Sequence, residues 1–143
     1  MGTKSIRHIT ESVLKSFLQS ETGLSGVNVY SGDSADTMVL PKIVVLCDSA
    51  KTPADLPEGL GNYLCSIRVT LFSSTDDTSL ADHRSRSAAL TARMQDLTEL
   101  KSAFTASGDA FCYDVTLQSE DEGVDERNWA TLFSYDVLVV LPA

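Results

Sequence analysis

His83 is the side chain in this sequence best suited by type to move a proton. It stands between Asp82 and Arg84. General acid–base catalysis needs a partner group oriented toward the imidazole. Adjacent residues on a helix point about 100° apart, so Asp82 turns away from His83. The expectation is a helix histidine satisfied at the edge of the core. His8 has no better company. Asp76 and Asp77 could be drawn as metal ligands, but adjacent acids where a helix begins more often cap it and face the positive end of its dipole. No further converging ligands are visible for a cation. Cys47, Cys65 and Cys112 form no C-x-x-C pair and have no zinc spacing. None has an activating histidine nearby in sequence, and buried, reduced thiols of a cytosol-type compartment are expected. Gly59 and Gly61 flank Leu60, but no helix start follows to cradle a phosphate.

Nucleophile-elbow, P-loop, dinucleotide and H-E-x-x-H patterns are all missing. The expectation is therefore no catalytic residue, no cofactor and no metal. One further cluster stands out, Glu120-Asp121-Glu122 with Asp125 and Glu126. It is too charged to bury. It reads as a hairpin loop, Ser119 to Glu126, that projects mobile into solvent. Glu120, Asp121, Glu122, Asp125 and Glu126 are accordingly candidates for an interface, where charge complementarity guides docking.

The elements that must position these residues follow from periodicity. Ile6, Ile9, Val13, Leu14, Phe17 and Leu18 make one apolar stripe of a first helix. Thr3 or Ser5 would cap its start and Gly23 its end. Val27 to Leu46 reads as strands joined by a turn at Ser31 to Asp36. Pro41 falls at an edge, a bend or a strand start. Asp48 to Gly61 reads as a long loop. Tyr63, Cys65, Ile67, Val69 and Leu71 alternate with polar residues, the signature of a half-buried strand. A main helix begins near Ser79, where Ser79 and Asp82 resemble a capping box, and runs to about Asp96. Its inner stripe is Leu80, His83, Ser87, Leu90, Met94 and Leu97. A short helix, Leu97 to Ala106, ends at Ser107-Gly108. Phe111, Tyr113, Val115 and Leu117 then share a strand face, as do alternate residues from Trp129 to Leu141. This order predicts a single α+β domain over residues 1–143, with a mostly antiparallel sheet and helices packed on one face.

The chain has 143 residues, long enough to bury a sizeable core. Its 11 Lys and Arg against 20 Asp and Glu give a net charge of -9. Such a chain is poorly suited to gripping nucleic acid or anionic membrane surfaces. Weak contact with a sliding duplex is compatible with it. The N-terminal stretch has no continuous apolar core, so a signal peptide is not expected. No apolar run approaches the roughly 18 residues of a membrane span.

Four stretches carry a resemblance to a known family. They are Leu40-Pro41-Lys42-Ile43-Val44-Val45, Gly61 to Ser74 leading into Asp76 to His83, Arg93-Met94-Gln95-Asp96-Leu97, and Trp129 to Val140. With the order of elements, they resemble the tail terminator, or tail-completion, proteins that join head to tail in long-tailed phages. The likeness lies in layout and short phrases across nearly the whole chain. It implies a non-enzymatic virion protein of the tail–neck region, assembled in the host cytoplasm. It further implies a homo-oligomeric ring, commonly of six copies. The ring's partners would be the tail tube protein, a neck or head-completion protein and double-stranded DNA passing without specific binding. A different neck protein, such as a head-completion adaptor or a minor tail protein, is the alternative within this class. A small cytosolic enzyme is the alternative outside it.

Overall fold

Ser5 starts the first helix, its hydroxyl accepting from the His8 amide at 3.1 Å. In the computed structural model, which describes residues 5–32, 39–52 and 61–141, this helix is α1, Ile6–Gln19. Thr3, Asp33 to Met38 and Gly59 lie outside the described residues. Ser20, not Gly23, follows the last turn of α1. Gly23 sits instead in a single 3-10 turn, Thr22–Leu24, where a Cβ would come within 2.8 Å of the Ala89 side chain. Glycine is required there for close approach rather than for helix termination.

Five strands follow the helical N-terminus: β1 (Asn28–Ser31), β2 (Lys42–Lys51), β3 (Asn62–Ser74), β4 (Phe111–Asp125) and β5 (Asn128–Val140). Two helices, α2 (Leu80–Gln95) and α3 (Leu97–Ser107), lie between β3 and β4. The sheet order is β1-β2-β3-β5-β4, parallel only between β1 and β2. This is the expected mixed α+β fold with a mostly antiparallel sheet. Inward positions of β2, β3 and β5, such as Val45, Val69 and Val137, are fully buried beneath the helices. Outward positions, such as Val44, Leu46, Phe72, Leu132 and Leu138, are half-buried. The helices therefore cover one face, and Leu90, Met94, Leu100 and Phe104 complete the core from that side. Each fully buried large apolar side chain contributes roughly 1.5–3 kcal/mol.

Local signals place the helix ends. Ser79 caps α2, accepting from the Asp82 amide at 3.1 Å. Asp96 ends α2 and caps α3, accepting from the Glu99 amide. Gly108 closes α3 with φ 74°, a left-handed conformation that costs glycine least. Pro41 immediately precedes β2, after a cis bond from Leu40.

Three further sequence expectations are corrected. Asp48 to Lys51 belongs to β2 rather than to a loop, because it pairs with Leu64 to Ser66 past a bulge between Cys47 and Ser49. Phe111 and Tyr113 face outward and Cys112 inward, because a bulge between Cys112 and Asp114 shifts the phase before Val115 and Leu117. Ser119 to Asp125 is strand, not a projecting loop. Its backbone pairs with β5 from Asn128 to Ser134, and only Glu126 and Arg127 make the turn. The strand is held by β5 although its side chains are solvated.

The β2 edge depends on α1. Paired residues of β1 and β2 end at Ser31 and Val45. Beyond them the Cys47 amide donates to Glu11 Oε2 at 2.7 Å, and Arg7 donates to the Cys47 carbonyl from Nε and Nη2 at 2.9 and 2.7 Å. One turn of helix thus replaces the missing strand. Glu11 is buried, so its replacement by Ala strands a buried amide. Glu11→Ala should cost about 2 kcal/mol in urea unfolding, and Glu11→Gln, which keeps an acceptor, clearly less.

Candidate functional site

Three inward polar residues meet beneath α2. Ser73 ends the inward series of β3, Thr131 follows Trp129 in that of β5, and His83 projects from the first turn of α2. His83 is fully buried. Its Nδ1 lies 2.8 Å from Ser73 Oγ and its Nε2 2.8 Å from Thr131 Oγ1. Arg86 Nη1 also donates to Ser73 Oγ at 2.9 Å. Beside this cluster the Trp129 indole donates to the Thr78 carbonyl at 2.8 Å, fixing the approach to α2.

Burial holds the His83 pKa below the ordinary imidazole range. The Glu122 carboxylate opposes that shift, and Arg86 and Arg84 add to it. The ring is neutral at pH 7, with one nitrogen donating and the other accepting. With both nitrogens occupied and no exposed surface, it pins α2 across β3 and β5. Its place is deeper than the core edge expected from the sequence. The signal for its partners was present: Ser73 and Thr131 are hydroxyl residues at inward phase in otherwise apolar series.

The cysteines are buried and unpaired. Cys47 and Cys65 approach each other across β2 and β3, and hydrogen bonding with Cys65, with burial, pushes the Cys47 thiol far up. Burial pushes Cys112 up to about 11. Both are therefore thiols at neutral pH, unsuited to nucleophilic attack. Asp76 and Asp77 are exposed ahead of α2, with Asp77 Oδ1 accepting from the Thr78 hydroxyl. Among the described residues no three His, Cys, Asp or Glu side chains are grouped to hold a metal. A groove of about 540 Å³ runs between α1 and α3, its lining including Ile9, Ser12, Phe17, Ser102 and Ala106. Arg93 at its end donates to the Phe17 carbonyl and Ser20 Oγ and stacks 3.8 Å over the Phe17 ring.

The acidic residues divide by strand phase. Glu120 and Glu122 oppose Phe133 and Thr131 on the helix side. Asp121 and Asp125 oppose Leu132 and Asn128 on the open side. Glu126 occupies the turn with φ 58°. Sequence reading grouped all five, whereas the structure brings only Glu120 and Glu122 toward α2. Arg84 reaches Glu122 at 2.7 Å, and the guanidinium holds that carboxyl below the usual range. Arg84 and Ser87 as partners of this strand were not legible in the sequence, because contact depends on the strand assignment that was missed.

No family model matches the sequence, and no curated protein matches it. Among solved structures, a chain from the virion of the native gene transfer agent (GTA) particle superposes with TM-score 0.52. The fold is shared with a chain of that virion. Identity is 10%, and the match covers 90% of this chain and 85% of the other. At this identity the likeness is one of fold.

The depressed His83 pKa fixes a sign. The unfolded chain takes up a proton near the ordinary value of 6.5 while the folded chain resists it. Stability is therefore fully present above pH 6.5 and lost as pH falls below it. Stability should therefore fall between pH 7.5 and 5.5. A His83→Gln variant should be less stable at pH 7.5 and should lack this slope, as read by urea midpoints at both pH values.

Proposed function

We propose that this chain is a structural virion protein, a tail terminator whose copies form a ring that caps the tail tube and joins it to the head. The observation that carries the reading is the fold shared, over nearly the whole chain, with a chain of a gene transfer agent virion. The layout resemblance in the sequence points the same way. The architecture suits assembly, because the sheet presents half-buried Val44, Leu46, Phe72, Leu132 and Leu138 on the face that the helices leave open. Such faces serve as contact surfaces between subunits. A ring needs two different, matching patches on each copy, and a one-sided sheet with two unlike edges offers them.

In this reading the ring, of about six copies, sits in the tail–neck region after assembly in the host cytoplasm. It contacts the tube protein on one side and a neck protein on the other. DNA passes through it, and the net charge of -9 discourages the duplex from sticking. The chain performs no catalysis, and His83 serves as a packing residue.

Loss of the protein should leave capsids intact. Tube subunits should add past the normal stop, and full heads should accumulate beside unattached tails. Electron microscopy of lysates lacking the protein reads this directly. Normal-length tails on filled heads would exclude the terminator role. A joint fall in DNA synthesis and all late products would favour an enzyme of nucleotide metabolism.

A further inference from the structure

Between α2 and the outer half of β4 lies a cleft of about 430 Å³, lined by Arg84, Ser87, Ala88 and Thr91 from the helix and Glu120 and Glu122 from the strand. Some of its polar groups are satisfied within the subunit. Arg84 and Glu122 bind each other, and Thr91 donates to the Ser87 and Ala88 carbonyls. The others are not. Glu120 has no ion-pair or hydrogen-bond partner among the described residues. Ser87 is 6% exposed, and its Oγ has no hydrogen-bond partner there either. A buried hydroxyl with no partner among the described residues thus lines the same cleft as an unpaired carboxylate.

We propose that this cleft is a socket for a Lys or Arg side chain of a partner protein. The Glu120 carboxylate and the Ser87 hydroxyl oxygen can both accept, so the complementary group is a cation with several N–H donors, an ammonium or a guanidinium. An anion would meet Glu120 unfavourably. The cleft opens along β4, which is the last strand of the sheet, so a polypeptide can run beside it while one side chain enters. The partner is a chain of different, basic sequence. Two copies of this chain carry -9 each and repel one another. The socket goes beyond the terminator reading and stands whether or not the chain forms a ring.

The test uses the full chain labelled with ¹⁵N. Nα-acetyl-arginine methylamide is the probe, and tetramethylammonium, a cation without N–H donors, is the control. The probe should give saturable amide shifts confined to residues 84–91 and 119–122, and the control none. Ser87→Ala and Glu120→Gln should fold with an unchanged or higher urea midpoint and bind the probe about tenfold more weakly. Equal binding by Ser87→Ala, or the same shifts with tetramethylammonium, would overturn the socket. Concentration-dependent shifts at these residues without the probe would make the occupant a second copy and overturn the assignment to a basic partner.

Discussion

Strand alternation is the constraint on which the rest of this structure depends. Successive side chains point to opposite faces, so one inward phase in β2, β3 and β5 settles what the helices bury. Ile43, Val45 and Cys47, then Cys65 to Leu71, then Phe133 to Val139 form a continuous apolar surface. Polar residues in that phase must find partners under the helices. Ser73 and Thr131 do so through His83. Outward residues of the same strands are left half-covered. The fold thus leaves a half-buried apolar sheet face open simply by being two layers deep.

Polar satisfaction separates the buried from the available. His83 has both nitrogens occupied, and Glu11 and Arg7 close the backbone of Cys47. Those sites are complete, and their chemistry is spent on holding helices to the sheet. Ser87 and Tyr135 differ, since their hydroxyls have no partner among the described residues. A buried hydroxyl left this way costs about 1–3 kcal/mol. Where Ser87 shares a cleft with the unpaired Glu120, the proposed socket lets something outside the subunit complete it.

Much of the fold was legible in the sequence because it rests on local rules. Ser5, Ser79 and Gly108 mark helix ends by their own chemistry. The β3 and β5 series alternate without interruption, so face and register could be read directly. The failures share a cause. Glu, Asp, Ser and Gly are poor strand formers, so Ser119 to Asp125 looked like a loop. Pairing with a long, apolar β5 overrides that propensity. Bulges in β2 and β4 shift phase with no signal in composition, which is why Phe111 and Tyr113 were read inward. The candidate site suffered most, since the separation of Glu120 and Glu122 from Asp121 and Asp125 exists only once the segment is a strand.

We propose a repeated structural subunit where tail meets head. A cryo-electron microscopy map of the assembled particle tests it most directly. The expected map shows several copies in a closed ring at the head-proximal end of the tail, with open sheet faces or sheet edges in the contacts between neighbours. A single copy, or density for this chain elsewhere in the particle, would contradict it.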